Sequence, residues 1–296
     1  IMKNFQQVTI QRPIRFSGIG IHSGKISNVK ISPSGPDTGI TFIRTDIKKP
    51  ENIIKAKFDN VISTTLGTSL TNKYNIKVST IEHLMAGLWG ASIDNCLIEI
   101  DNEEIPIFDG SCEPFIFIIE CAGRDHQYNL KKFLKINKKI EYKEIGKDGK
   151  EISCSLEPDR GFSVDLAIEF QNKVIGNQDF NFSYLENDFK TSISRARTFG
   201  LESEVKMMNE MGLGLGGSLD NAIIVSNNAI LNQDGLRFDN EFVRHKILDS
   251  IGDLYLSGYP ILGKFTGYRS GHTANNKLLR NLFANKDSYE IIEVVN

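Results

Sequence analysis

The chain has 296 residues, with 35 Lys and Arg against 37 Asp and Glu, a formal net charge of −2. That balance lacks the basic excess with which nucleic-acid binders neutralise phosphates, so no nucleic-acid partner is expected. At 40% hydrophobic and 24% charged, the composition excludes a disordered or collagen-like chain, and the length fits about two domains of roughly 150 residues. The four cysteines, Cys96, Cys112, Cys121 and Cys154, form no C-x-x-C pair, which excludes a cysteine zinc knuckle and a disulfide scaffold. Residues 1–5 carry no long apolar run, and the most apolar run, 115–119, is too short for a bilayer. A cytoplasmic protein without a stable membrane anchor is expected.

Residues 3–12 and 27–32 alternate apolar and polar side chains, as half-buried strands do. Residues 18–24 between them read as a glycine-punctuated turn, and 41–44 continue the strand pattern. From 78 to 90 the period changes. Ile81, Leu84, Met85 and Leu88 recur at helical spacing, and Ser79 with Glu82 spells a capping box. Residues 95–100 read as a strand and 114–121 as a helix closed by Gly123. A lysine-rich stretch from Lys131 to Lys150 follows. Its interleaved Phe133, Leu134, Ile136, Ile140 and Ile145 alternate as strands do, so it reads as a linker and a hairpin turning at Asp148–Gly149.

In the second half, strands fill 133–170 and the polar residues 171–182 suggest a loop. Residues 202–211 read as a short helix, 222–225 as a strand and 232–235 as a turn. Asp239 reads as the cap of a long helix running to Gly258, with Pro260 just beyond. A strand at 261–267 and a helix at 272–282 close the chain. Each half thus reads as strands, then helix, strand and helix. The fold class is α+β, a two-domain α/β sandwich of duplicated domains, 1–127 and 128–296, joined by a linker near 125–131.

The long helix is the most informative element. His245, Asp249 and Asp253 fall at i, i+4 and i+8, away from the apolar stripe of Val243, Ile247, Leu248, Ile251, Leu254 and Tyr255. A His-x-x-x-Asp pair on one face can present two ligands to one metal. From the helix alone, the plainer reading is an exposed polar face with an i,i+4 hydrogen bond. His83 shifts the balance, because it follows Glu82 at the start of the first half's helix. His83, His245 and Asp249 together would supply the three ligands of a catalytic metal, leaving Glu82 to take a proton; the alternative for Glu82 is the capping box. His272 reads as a helix terminus and His126 as a surface residue, and His22, in the glycine-punctuated turn, as structural, with contact to substrate as the alternative. The run Gly212-Leu213-Gly214-Leu215-Gly216-Gly217 satisfies G-x-G-x-x-G, yet it lies between a helix and a strand, the reverse of a dinucleotide site.

Taken in order, several motifs carry a resemblance. They are Ser79-Thr80-Ile81-Glu82-His83-Leu84, Asp109-Gly110-Ser111, Ser194-Arg195-Ala196-Arg197-Thr198-Phe199-Gly200, Leu215-Gly216-Gly217-Ser218, His245-Lys246-Ile247-Leu248-Asp249 and Ser270-Gly271-His272. Over nearly its whole length the chain resembles the UDP-3-O-acyl-N-acetylglucosamine deacetylase family, zinc enzymes of lipid A biosynthesis in Gram-negative bacteria. The resemblance implies two similar α/β domains with the site between their helices, each with an insert: a small sheet in the first, and a β-α-β unit around 198–224 in the second. It implies Zn²⁺ held by His83, His245 and Asp249; Fe²⁺ suits the same donor set. It makes Glu82 the general base, His272 the protonated acid on the amine, Asp253 its partner, and Thr198 a donor to the oxyanion. Lys246 would contact substrate or oxyanion, and Phe199 would stack on the sugar. Val205, Gly217, Ser218 and Ile224 would line a passage for the acyl chain. The implied substrate is UDP-3-O-(3-hydroxyacyl)-N-acetylglucosamine, hydrolysed by a monomer to the free amine and acetate.

Three departures stand out. Residues 63–65 lack a cysteine that some relatives carry nearby, the segment 67–75 is slightly longer than in some members, and Arg269 stands where a lysine is expected. Arg269 could meet the nucleotide diphosphate with bidentate geometry. The competing functions are a catalytically silent binder of acyl-sugar nucleotides with the same fold, and an unrelated metallohydrolase.

Overall fold

The computed structural model describes residues 5–294. In the first half, β2 (Ile14–Ile19), β3 (Ile26–Pro33), β9 (Cys96–Ile100), β4 (Ile40–Arg44) and β5 (Ile53–Lys55) form a five-stranded sheet in the order 2-3-9-4-5. Only β4 and β9 run parallel. A separate three-stranded sheet, β6 (Val61–Ser63), β7 (Ser69–Thr71) and β8 (Lys77–Val78), precedes helix α1 (Glu82–Gly90). Helix α2 (Glu113–Ala122) closes at Gly123, whose φ of 76° only a residue without Cβ adopts readily.

The second half holds a seven-stranded sheet. Its members are β11 (Lys132–Ile136), β12 (Ile140–Ile145), β13 (Glu151–Glu157), β14 (Phe162–Glu169), β15 (Asn177–Ser183), β18 (Ile261–Tyr268) and β19 (Tyr289–Glu293). β18 lies at its centre, parallel to β11 and β14 and antiparallel to β13. The long helix α5 (Glu241–Leu254) leads towards β18, and α6 (His272–Ala284) follows it, as α1 leads to β9 and α2 follows. The order helix, central strand and helix thus recurs in both halves. Between β15 and α5 lie the short α3 (Phe189–Ser192) and a β-α-β unit, in which β16 (Phe199–Leu201) runs parallel to β17 (Ile223–Val225) around α4 (Glu202–Glu210).

Burial of the apolar stripes drives the assembly. Ile81 just before α1, Leu84, Met85 and Leu88 within it, and Val243, Ile247, Leu248 and Ile251 of α5 are at most 1% exposed. Each contributes roughly 1.5–3 kcal/mol relative to exposure. α1 packs directly on α5 between the two sheets. The helices lie close at Gly252, where a Cβ would stand 2.0 Å from the Glu82 carbonyl oxygen. No helix among the described residues is long and apolar enough to cross a membrane. All four cysteines are free, and only Cys121 is exposed.

Several local expectations change. The strand expected over 3–12 is β1 (Gln6–Ile10); residues 3 and 4 lie outside the described residues. Gly18 and Ile19 end β2 rather than start the turn, which occupies 20–24. The linker near 125–131 is largely strand: β10 (Arg124–Leu130) pairs antiparallel with β1 as far as Leu130, past the expected division at 127/128. The loop expected at 171–182 shortens, because β15 begins at Asn177; Gln178, Phe180 and Phe182 turn inward between outward Asn177, Asp179 and Asn181. Polar composition masked a period of two. The capping box does not form. Thr80 at φ 57° turns the chain, Ser79 bonds Glu103, and α1 starts without a side-chain cap. Asp239 likewise does not cap α5; the N-cap is Asn240, whose Oδ1 accepts from Arg244 Nε at 2.6 Å.

Candidate metal centre and cavity

The contact between α1 and α5 brings His83, His245 and Asp249 together. All three are buried, and one ligand atom from each lies within 4.8 Å of the others. Nε2 of His83 and Nε2 of His245 each stand 3.3 Å from Asp249 Oδ1. The His83 and His245 rings meet edge to face at 4.9 Å. His245 Nδ1 donates to the Ala196 carbonyl at 2.9 Å, so its Nε2 lone pair faces the other two groups. Asp249 Oδ1 is buried without a hydrogen-bond partner among the described residues. An orphaned carboxylate oxygen facing two imidazole nitrogens is costly by itself. A cation with three protein ligands and open positions satisfies all three groups, so the donor set fits a catalytic metal.

Electrostatics agree with this design. Burial opposes ionisation of Asp249, but His245, His83 and His272 outweigh it and hold its carboxyl well below the usual range. Burial also holds His245 down to about 4, which keeps it neutral. At His83, burial is overcome by the Asp249 carboxylate and Glu82, and the pKa rises. A cation held by the three groups would take the place of these mutual interactions.

A second pair faces this centre. Glu82 opens α1; its Oε2 accepts the Thr68 amide at 3.0 Å, and its Oε1 stands 3.8 Å from His272 Nε2. Burial raises Glu82 despite the opposing pull of His272 and His83. An upward shift is the direction that makes a carboxylate a better proton acceptor. His272 opens α6, and its Nδ1 lies 2.7 Å from Asp253 Oδ2. Burial disfavours its protonation, yet Asp253, Glu82 and Asp249 lift it to about 9. Thr68 Oγ1 donates to Asp253 Oδ1 at 2.6 Å and Asn275 Nδ2 to Oδ2 at 2.9 Å, so that carboxylate is locked in place. Gly67 makes room for Glu82: a Cβ there would lie 2.8 Å from Oε1.

These groups sit in a cavity of about 450 Å³ between the halves. Thr198, Phe199, Lys246, Val205, Gly217, Ser218 and Ile224 all line it, beside Glu82, His83, His245, Asp249 and His272. Asp253 lies behind His272 and outside the lining. Arg269 departs from expectation. It is not on the cavity wall; at φ 52° the chain turns its guanidinium to Asp148 of the β12–β13 hairpin. Sequence reasoning missed Ile21, Leu66, Phe170, Met208 and Leu219 on the wall, where His22 also stands. The structural role expected of His22 has a basis in the contact of its Nε2 with the Leu66 carbonyl at 3.1 Å. The glycine-rich run follows α4 and precedes β17, and it docks on the first half through Leu215 N to His22 O and Gly216 N to Ile21 O. A cue was present in the sequence, since alternating glycines beside apolar residues leave backbone free to pair.

The family model for UDP-3-O-acyl N-acetylglycosamine deacetylase (LpxC) matches residues 7–284. A UDP-3-O-acyl-N-acetylglucosamine deacetylase of Thioalkalivibrio sulfidiphilus is 44% identical over 289 residues, covering 97% of this chain and 93% of that protein. One of Acidithiobacillus ferrooxidans is 43% identical over 290 residues, with the same two coverages. Matches of this length and identity, over a chain that also carries the converging donor set, show that it belongs to the LpxC family of UDP-3-O-acyl N-acetylglycosamine deacetylases.

Proposed function

We propose that the protein removes the N-acetyl group of UDP-3-O-(3-hydroxyacyl)-N-acetylglucosamine, giving the free amine and acetate, the committed step of lipid A biosynthesis, with Zn²⁺ as its metal. The observation that carries this reading is the meeting of three donors with an opposed carboxylate and protonated imidazole in one cavity. His83, His245 and Asp249 would hold the ion; two imidazoles and a carboxylate suit Zn²⁺, and Fe²⁺ as well. When bound, the ion supplies Lewis acidity to the amide carbonyl and acidifies water beside it.

The chain's own groups do the rest. Glu82 takes a proton from the attacking water. His272, kept protonated by Asp253, gives its Nε2 proton to the departing amine. Thr198 donates to the developing oxyanion, and Lys246, next to His245, adds positive charge there. Phe199 offers a ring to the sugar, although its other contacts are Phe242 at 4.9 Å and Phe170 at 5.7 Å. Val205, Gly217, Ser218 and Ile224 form the wall for the acyl chain. The presence of both Glu82 and His272, 3.8 Å apart, disfavours a catalytically silent binder. Deacetylation assayed after chelation and after Zn²⁺ re-addition tests the reading. Loss and recovery are expected; activity indifferent to complete metal removal refutes it.

A further inference from the structure

The segment 195–198 connects α3 to the β-α-β unit and carries no metal donor of its own. One of its peptide units is nonetheless gripped at both ends by α5. The Ala196 carbonyl accepts from His245 Nδ1 at 2.9 Å, and the Arg197 amide donates to Glu241 Oε1 at 3.0 Å. Glu241 and His245 are one helical turn apart, so they project from the same face and span a single peptide. Glu241 is fully buried. Its two oxygens take three further hydrogen bonds: Arg197 Nε at 2.9 Å, Arg197 Nη2 at 3.1 Å and the Arg237 amide at 2.7 Å. Arg197 Nη2 also donates to the Gly235 carbonyl at 2.9 Å. The residue after the gripped peptide is Thr198, held by its amide on the Gly110 carbonyl at 2.8 Å and by its carbonyl on Ile223 N at 2.8 Å.

We infer that Arg197 and Glu241 are positioning residues for the metal centre: their buried pair fixes the 196–197 peptide, which in turn fixes the tautomer and ring plane of His245 and the placement of Thr198. The argument is geometric. A carboxylate bonded by four donors cannot rotate without orphaning buried polar groups, so the peptide it holds is rigid. A peptide carbonyl aimed at Nδ1 keeps the proton there and the lone pair at Nε2, which is the arrangement a metal ligand needs. Purely structural pairing of Arg197 and Glu241 would require only that the loop be held near α5. Here the hydrogen bond lands on the peptide that contacts the ligand, one turn along the same helix. The inference rests on the metal reading proposed above.

The test is Zn²⁺ affinity of the metal-free full chain, measured by competition with a chromophoric chelator, for wild type, Glu241→Gln and Arg197→Lys. Glu241→Gln keeps the size but replaces an acceptor oxygen with an NH₂ donor. Arg197→Lys keeps the charge but loses the fork. Each is expected to weaken Zn²⁺ binding about 10–100-fold, the usual cost of losing an outer partner of a ligand. In each, kcat is expected to fall further than KM rises, because Thr198 acts on the transition state. The His245 Nδ1 proton, followed by ¹⁵N-histidine NMR of the metal-free chain, is expected to be protected in wild type and to exchange faster in both variants. Wild-type affinity and exchange in both variants would overturn the inference. So would failure of both to fold, which would assign the pair to folding. If wild type itself binds no Zn²⁺, the metal reading falls instead, and the two failures are told apart.

Discussion

Gly252 is the position where helix packing and the proposed chemistry meet, and Gly252→Ala tests that link. The added Cβ would lie 2.0 Å from the Glu82 carbonyl oxygen, 2.9 Å from its carbonyl carbon and 3.2 Å from the Ala86 amide nitrogen. Ordinary contact starts near 3.4 Å, so α1 and α5 must separate by about 1.4 Å or tilt to the same effect. All three atoms belong to backbone, which cannot swing aside. Overpacking of this kind costs about 1–3 kcal/mol, or more where backbone has to move. The functional cost follows from what the helices carry. α1 brings Glu82 and His83, and α5 brings His245 and Asp249. A metal site tolerates changes of about 0.2 Å in ligand distance, and a misplacement of about 1 Å can cost roughly 10²-fold in rate. The variant should therefore melt lower, bind Zn²⁺ more weakly and lose about 10²-fold or more in kcat/KM. Thermal unfolding of the metal-free protein, Zn²⁺ titration and steady-state deacetylation measure the three effects. A variant with native Tm and native kcat/KM would refute the claim that this contact sets the site.

Other outcomes follow from individual side chains. Glu82→Ala and His272→Ala should each lower kcat by roughly 10²–10⁴ with metal content retained; an unchanged rate removes that residue's role. Asp253→Asn takes away the largest influence raising His272, whose pKa stands near 9. The protonated form is then lost at lower pH, so the alkaline limb of kcat/KM should move towards neutrality by about one unit or more, which a pH–rate profile reads. The same sign governs stability. A raised imidazole pKa stabilises the fold fully below its ordinary value near 6.5 and loses that contribution as pH rises through about 9. Gly216→Ala should loosen the wall of the cavity, because its Cβ would stand 2.1 Å from the Gly20 carbonyl oxygen. KM for long-acyl substrate should rise more than for a truncated analogue, and equal effects on both would separate this contact from the acyl passage.

Much of the site was legible because its chemistry follows helical spacing. His245 and Asp249 at i and i+4 share a face whatever surrounds them, and the Glu82-His83 pair opens a helix whose apolar stripe is plain. The strand-helix-strand-helix order of each half foreshadowed the two sheets. What was not legible depends on contacts distant in sequence. The capping box was a sound local inference, defeated because Ser79 finds the 103–104 edge of the chain and Glu82 the Thr68 amide. β15 was hidden because its outward residues are polar and only its inward Phe180 and Phe182 betray it. Arg269 was not legible either: its partner Asp148 lies 121 residues away in sequence.

The α1–α5 contact explains why neither half would be expected to work alone. The first half supplies Glu82 and His83, and the second supplies His245, Asp249 and His272. Asp249 Oδ1 and the two imidazoles complete one another only across the α1–α5 contact. The Glu82–His272 pair likewise spans the halves, as do Thr68 with Asp253 and Thr64 with Thr273. Separating the halves would return these groups to water, so each loses only its net hydrogen-bond contribution of about 0.5–1.5 kcal/mol, alongside the apolar burial of α1 against α5; the interactions that align the acid and base thus also hold the halves together. Stability and catalysis therefore draw on one interface. A mutation that loosens it should lower Tm and kcat together, whereas one confined to the acyl wall should change KM alone.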